Sequence, residues 1–381
     1  MSLNFQTVPL VESGLGKILI LPDICNQLNI KKPLIITDQG LFKLGFVEEI
    51  EKSLNKKNIL PSVYNKVQAD PPESNIFEAV DLYKNHKADG VIGFGGGSSM
   101  DVAKAVSYFS INNVNIKECY GVNNLKYDRC PLIQIPTTAG TGSEVTPIAI
   151  FTLANEQKMG IVDPLLYADC AILDAELTIG LPKNITAYSG IDAMVHAIEA
   201  YTTKIKKNPI SDALAKKALA LLGSNIKEAV NNPENKKARE NMLLGSMLAG
   251  MAFANAPCAA VHALAYPIGA KFHVPHGLSN SLVLPEVLKF NSKNVANLYC
   301  EIASDCLPDL EGGGNNIDNF ITGIEQLIID LKIPRKLKDV GINQKDIKML
   351  AEDALKQQRL LINNPRNVNI EDAIAIYQSA L

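Results

Sequence analysis

Residues 90–94 are a short apolar run, Gly-Val-Ile-Gly-Phe, that passes directly into Gly95-Gly96-Gly97 and then into a helical stretch beginning at Ser98 or Ser99. A buried strand that ends in glycines and turns at once into a helix is half of a βαβ unit, and it commits the chain to a parallel sheet. Neighbouring segments agree. Residues 17–21, 33–37 and 57–64 have strand character, and residues 75–86 have helical spacing. Residues 132–135 and 170–173 are apolar runs closed by Pro136-Thr137-Thr138 and by Asp174. After Leu181-Pro182 the β-branched clusters fade. Residues 185–203, 210–230, 238–253, 274–290, 316–331 and 344–357 carry helical periodicity. The expected architecture is an α/β half with a parallel sheet over residues 1–180, followed by an all-helical half over residues 181–381. Gly312-Gly313-Gly314-Asn315-Asn316 reads as a loop.

The length of 381 residues suits two domains and allows three. Lys and Arg number 37 against 40 Asp and Glu, a net charge of -3 with no basic run, so neither nucleic acid nor an anionic membrane surface is an expected partner. The seven cysteines are scattered without a C-x-x-C pair, which fits reduced thiols in a cytoplasm. No signal peptide is visible at the N-terminus. The most apolar stretch, residues 242–270, is interrupted by Ser246, Asn255, Pro257 and His262, and reads as buried core helix rather than a membrane span.

Three loops carry polar chemistry where strands end. Gly95-Gly96-Gly97 lets main-chain N–H groups approach a ligand, and the helix that follows favours a phosphate at its N-terminus. Ser98 and Asp101 also have the spacing of a capping box, and the two readings are compatible. Asp38 closes the strand at residues 33–37. Its carboxylate suits ribose hydroxyls and opposes a 2′-phosphate, although for a lone Asp before Gln-Gly an Asx turn is the better explanation. Pro136-Thr-Thr-Ala-Gly-Thr-Gly-Ser-Glu144 is the third loop. Three such loops at the carboxyl ends of a parallel sheet favour a ligand crevice over unrelated turns.

The histidines add a second constellation. Of five in the chain, four fall between His196 and His276. Asp192 and His196 stand at i and i+4 on one helical face. His262 and His276 arise from two further helical segments. One carboxylate and three imidazoles form a ligand set for a divalent cation, whereas any one histidine alone reads as core. Asp192 beside Met194 and Val195 needs a partner if it is buried.

Gly-Gly-Gly-Ser-Ser-Met-Asp, Ile-Pro-Thr-Thr-Ala-Gly-Thr-Gly-Ser-Glu, Gly-Ile-Asp-Ala-Met-Val-His-Ala-Ile-Glu-Ala and Val-Pro-His-Gly-Leu-Ser-Asn resemble, in order, the iron-containing alcohol dehydrogenase family. The match spans nearly the whole chain and is weakest after about Asn291. It implies a Rossmann-like N-terminal domain, an all-helical C-terminal domain, and an active site in the cleft between them. It implies one divalent metal per subunit, iron(II) with zinc as the alternative, on Asp192, His196, His262 and His276. It also implies NAD against Asp38, Gly95, Gly96, Gly97, Ser98, Asp101, Thr137, Thr138 and Lys158, and a homodimer or larger assembly.

Two departures stand out. Tyr266 occupies a position where many relatives carry a histidine assigned to proton relay, and His273 lies three residues before His276. Ala69-Asp70-Pro71-Pro72 replaces the family's Pro-Asn-Pro near the adenine. His273 and Tyr266 are therefore the expected proton carriers, with water as the alternative, and Phe253 and Tyr266 the expected pocket walls. The implied reaction interconverts a small primary alcohol or diol and its aldehyde. The competing readings are a metal- and NAD-dependent lyase of the dehydroquinate-synthase type and a non-catalytic dinucleotide sensor. The lyase needs a cluster of lysine and arginine for a phosphorylated acid, and none accompanies the ligand motifs.

Overall fold

The computed structural model describes residues 3–154, 157–309 and 316–381, so the expected loop at Gly312-Gly313-Gly314-Asn315 lies outside the described residues. The chain divides into two compact units: Gln6–Thr138 with Gly142–Thr178, and Ile179–Leu381 with Ala139–Thr141.

The first unit holds strands β1 Val11–Ser13, β2 Pro33–Asp38, β3 Ser62–Val67, β4 Gly90–Gly95, β5 Gly121–Val122, β6 Leu132–Pro136, β7 Ile148–Thr152, β8 Lys158–Val162 and β9 Cys170–Leu173. Its helices are α1 Leu21–Gln27, α2 Gln39–Lys43, α3 Phe46–Asn55, α4 Glu73–His86, α5 Gly97–Phe109 and α6 Ile116–Cys119. Six strands form a parallel sheet in the order β1-β9-β6-β4-β2-β3. Strands β4, β6 and β9 are buried throughout, as in a sheet covered on both faces. Strand β2 precedes β3 and β4 in the chain yet lies between them, so the order reverses between β2 and β4. Ligands of open α/β sheets bind beyond the carboxyl ends of the strands at such a switch point. Here those ends are Asp38 and Gly95.

Two expected strands are corrected. Residues 17–21 form a 3-10 turn, Lys17–Ile20, that runs into α1. The Asp174 carboxylate accepts hydrogen bonds from the N–H groups of Gly16 (3.1 Å) and Ile18 (3.0 Å), and Pro22 suits a helix start. Capping by a residue distant in the chain thus overrides the β-branched isoleucines, and β1 takes the sheet edge instead. Within residues 57–64 only the end is strand. Asn58 turns back after α3 at φ 58°, and β3 continues to Val67.

Helix α5 begins at Gly97 with Gly96 as its N-cap, and no side chain caps it. The expected capping box of Ser98 and Asp101 is not formed, because Asp101 is engaged elsewhere. Its carboxylate accepts from Ser143 Oγ (2.6 Å) and from the Ile150 N–H (2.9 Å). Lys104, one turn further on and fully buried, donates to Ser143 Oγ (2.7 Å), Thr146 Oγ1 (3.2 Å) and the Ile148 carbonyl (2.7 Å). The glycine-loop helix is thereby fastened to the segment that follows the third loop.

The second unit contains α7 Lys183–Thr202, α8 Pro209–Asn231, α9 Lys236–Asn255, α10 Ala260–Phe272, α11 His276–Cys306, α12 Ile317–Asp330, α13 Ile347–Ala354, α14 Gln358–Leu361 and α15 Ile370–Ala380. Helix α7 is surrounded by α8, α9 and α11 and is buried without a break from Gly190 to Thr202. The helix expected at residues 344–357 is a 3-10 turn followed by α13, which stops at Ala354. The one expected at residues 274–290 starts at His276 after Pro275 and runs on to Cys306, bent at Val295. Residues 242–270 are parts of α9 and α10, two helices bent by 107°. Among the described residues no single helix is long and apolar enough to cross a membrane.

Glu144 is fully buried in the first unit, and its Oε1 has no hydrogen-bond partner among the described residues. Burial raises its carboxyl from 4.5 to about 7, against the pull of its own backbone N–H and of Lys104. The folded state therefore holds a proton that the unfolded state releases. The corresponding stability is complete below pH about 4.5 and is lost as pH rises through about 7. Urea unfolding at pH 5 and pH 8 checks this: Glu144→Gln should lose less stability over that interval than wild type, by about 3 kcal/mol at most.

Candidate metal centre and dinucleotide loops

Because α7 is buried on every side, its polar residues must be satisfied within the protein or by a ligand. Asp192, His196 and Glu199 stand at i, i+4 and i+7 and share one face of it. His262 enters from the first turn of α10 and His276 is the first residue of α11. One ligand atom from each of Asp192, His196, His262 and His276 lies within 4.8 Å of all the others. The structure thus brings together all four sequence-expected metal residues, three buried and His276 partly so.

Close backbone packing makes this convergence possible. A Cβ on Gly277 would sit 2.2 Å from the Tyr188 carbonyl oxygen and 3.3 Å from Asp192 Cβ, so only glycine after His276 lets α11 approach α7 at this level. His196 Nδ1 faces the Gly140 carbonyl at 3.2 Å, which leaves its Nε2 for a ligand. Burial lowers the His196 pKa to about 3, so the imidazole is neutral and able to bind metal at working pH. Burial acts to raise Asp192, but the electrostatic pull of the histidine cluster and the hydrogen bond from the Asn280 amide outweigh it and hold the carboxyl below its usual range.

Asn280, one turn along α11 from His276, was not singled out by the sequence. Its amide nitrogen lies 2.6 Å from Asp192 Oδ1, 3.3 Å from His262 Nε2 and 3.4 Å from His276 Nε2. Its own Oδ1 is buried without a partner among the described residues. Acceptors that crowd one amide in this way form a centre suited to a cation, and the donor set of three imidazoles and one carboxylate accommodates iron or zinc. Glu199 is the second omission. Its carboxylate accepts from the N–H groups of Ala259 (2.9 Å) and Val261 (2.7 Å) and meets His262 Nδ1 at 2.6 Å. Its position one helical turn beyond His196 was the available signal.

Rings line the cluster. Phe253 stacks on His196 at 4.3 Å between centroids and 19° between planes, and Tyr266 lies 5.9 Å from His276. His273 does not join them. It is exposed and ends α10 in a left-handed conformation at φ 55°, and no hydrogen bond, ion pair or ring contact ties its imidazole to another described residue. The expectation that it sits beside the ligands is corrected: the residue serves to terminate a helix.

In the first unit, the N-terminus of α5 presents first-turn N–H groups with no side-chain cap, a site that fits a phosphate. Gly95, at φ 151°, has Ser99 packed where a Cβ would lie, and its carbonyl accepts from the Thr137 N–H at 3.0 Å. Thr138 flanks Gly96. Asp38 caps α2, and both backbone bonds, from Gly40 and Leu41, fall on Oδ1. The cap and a ribose contact through Oδ2 are thus compatible. Of the other expected cofactor residues, Asp101 is held by Ser143 and Ile150 as described. Buried Lys158 is bonded to Asp70 Oδ1 at 2.6 Å, which joins it to the Ala69-Asp70-Pro71-Pro72 departure.

Residues 10–175 match the family described as iron-containing alcohol dehydrogenase, and residues 186–381 match the C-terminal part of the Fe-containing alcohol dehydrogenase family. The chain is 37% identical over 381 residues to long-chain-alcohol dehydrogenase 1 of Geobacillus thermodenitrificans, covering 98% of this chain and 95% of that one. Among solved structures, a crystal structure of 1,3-propanediol oxidoreductase matches with a TM-score of 0.96 and 32% identity, with both chains fully covered. Sulfoacetaldehyde reductase from Bifidobacterium kashiwanohense in complex with NAD+ matches with a TM-score of 0.90 and 25% identity, covering 100% of this chain and 99% of that one.

Gly277→Ala tests the packing at the cluster. The added methyl must push α11 from α7 and carry His276 away from Asp192. Zn2+ affinity, measured by chelator competition, should fall at least about tenfold while the far-ultraviolet circular dichroism spectrum is retained. Wild-type affinity would show that the approach of the two helices does not set the ligand geometry.

Proposed function

The chain belongs to the iron-containing alcohol dehydrogenase family and is an NAD- and iron-dependent alcohol and aldehyde oxidoreductase; from that premise we propose that it acts on a small primary alcohol or diol and the corresponding aldehyde, with Asp192, His196, His262 and His276 holding the metal. The observation that carries this assignment is the convergence of those four ligand atoms within 4.8 Å. When bound, the metal supplies Lewis acidity at a substrate oxygen and the nicotinamide supplies the hydride acceptor or donor.

The chain's own residues set the conditions for that chemistry. Asp192 contributes the only negative charge among the four ligands, so a divalent ion there keeps one positive charge toward substrate. Phe253, stacked on His196, and Tyr266, beside His276, supply apolar walls that exclude water and suit a short carbon chain. Of the two expected proton carriers, Tyr266 is the one in contact with a ligand ring, and we assign the proton at the substrate hydroxyl to Tyr266 and water. Asp38 and the uncapped start of α5 favour NAD over NADP. The lyase and sensor readings lack support of this kind.

Seven free thiols support a cytoplasmic location, and by its family the protein works as a homodimer or larger homo-oligomer. The names of its relatives, which span long-chain alcohols, propanediol and sulfoacetaldehyde, define the substrate panel.

That panel, followed by NADH consumption with protein stripped by a chelator and reloaded with Fe2+ or Zn2+, tests the function. Activity should vanish on stripping and return with Fe2+, whereas turnover by the stripped protein would sink the metal assignment. Tyr266→Phe should lower turnover and shift its pH profile, while His273→Ala stays within about twofold of wild type across pH. The reverse pattern would return the relay to His273. Asp38→Gly should improve NADP+ use and weaken NAD+ use. Glycine costs a helix cap only a few tenths of a kcal/mol, so the change in cofactor preference is read without loss of the fold.

A further inference from the structure

Helix α10 starts without help from its own sequence. Its N-cap is Ala259, at φ -136° and ψ -132°, and no side chain of its own caps it. The missing acceptor comes from α7. Glu199 Oε2 takes the Ala259 N–H and Oε1 takes the Val261 N–H, so a carboxylate sits at the positive end of a thirteen-residue helix. The same Oε2 lies 2.6 Å from His262 Nδ1. A carboxylate in this position only accepts, so the shared proton belongs to the imidazole. With hydrogen on Nδ1, the lone pair of His262 is on Nε2. Nε2 is the atom 3.3 Å from the Asn280 amide nitrogen and 3.8 Å from Asp192 Oδ1, on the side of the four-residue cluster.

We infer that Glu199 is the positioning residue of the metal centre, fixing the His262 tautomer and ring orientation through the same carboxylate that caps α10. The inference rests on the proposal that His262 is a metal ligand. Cys258 is the other group close to His262 and Glu199, all three lying within one 4.8 Å cluster. A thiol sulfur is a weak hydrogen-bond acceptor beside a carboxylate, so Cys258 competes poorly with Glu199 for the Nδ1 proton. Glutamine at position 199 keeps the size of the side chain but presents an NH2 on one branch. The NH2 accepts nothing: turned toward Ala259 and His262 it rewards the tautomer with hydrogen on Nε2, where the cation belongs, and turned the other way it leaves the Val261 N–H without an acceptor and loosens the cap that holds the His262 ring.

The test compares Zn2+ dissociation constants, by chelator competition, for wild type, Glu199→Gln, Glu199→Asp and His276→Ala. Glu199→Gln should weaken Zn2+ about 10- to 100-fold, with Glu199→Asp recovering part of the loss. Wild-type affinity in Glu199→Gln, alongside lost affinity in His276→Ala, overturns the positioning role and spares the ligand assignment. Retained affinity in His276→Ala overturns that assignment instead. A second measurement does not depend on the variants folding. In zinc-loaded wild-type protein labelled with 15N-histidine, His262 should carry its hydrogen on Nδ1, seen as a downfield N–H correlation. Hydrogen on Nε2 overturns the inference.

Discussion

The helical unit depends on one unfavourable placement: Asp192, His196 and Glu199 lie in a helix that is buried for thirteen consecutive residues, Gly190 to Thr202. An isolated ionised carboxylate in such surroundings carries a desolvation cost of several kcal/mol. The fold offsets it by delivering partners from two other helices at one level along α7. Glu199 receives two N–H groups and an imidazole, and Asp192 receives the Asn280 amide and faces three imidazoles. The two carboxylates are treated differently. Glu199 accepts from three protein donors, whereas Asp192 has the Asn280 amide and otherwise faces the three imidazoles proposed to bind metal with it. The proposed cation would complete the site at Asp192 and would be redundant at Glu199.

Much of this was legible in the sequence because the signals were local. A strand that runs into three glycines at Gly95, Gly96 and Gly97 has few other uses, and the i, i+4 pair of Asp192 and His196 on an apolar helix announces a ligand face. Residues 33–37, 132–135 and 170–173 read as buried strands for the same local reason, and β2, β6 and β9 contain them. What escaped was set from a distance. Residues 17–21 look like a strand, yet Asp174, more than 150 residues away in the chain, caps them into a turn. Ser98 and Asp101 have capping-box spacing, yet Ser143 and Ile150 claim the Asp101 carboxylate. Asn280 and Glu199 lie within the same motifs without a local mark of their own, because their importance lies in partners that only tertiary packing reveals.

His273 shows the limit of reasoning by elimination. As the remaining histidine between His262 and His276 it invited a chemical role, and proximity in the chain suggested proximity in space. The backbone decides otherwise. The chain leaves α10 and enters α11 within three residues, and His273 is the left-handed residue that ends α10. Its side chain points to solvent as a consequence of that geometry. Tyr266 stands seven residues earlier, two helical turns back on α10, and reaches the ring of His276.

The two sets of chemistry are encoded in separate parts of the chain. Asp38, Gly95, Gly96, Gly97, Thr137 and Thr138 belong to the sheet-bearing unit, while the four proposed metal ligands belong to the helical one. The chain nevertheless joins the helical unit for three residues, Ala139–Thr141, before returning to the sheet-bearing unit at Gly142. In that short excursion the Gly140 carbonyl takes up His196 Nδ1, and close contact with Ser189 leaves no room for a side chain at position 140. On either side, Thr137 continues the ladder beside Gly95 while Ser143 fastens Asp101 and Lys104. Within the nine residues from Pro136 to Glu144, Thr137 therefore bonds to Gly95, Gly140 meets His196 Nδ1, and Ser143 bonds to Asp101 and Lys104.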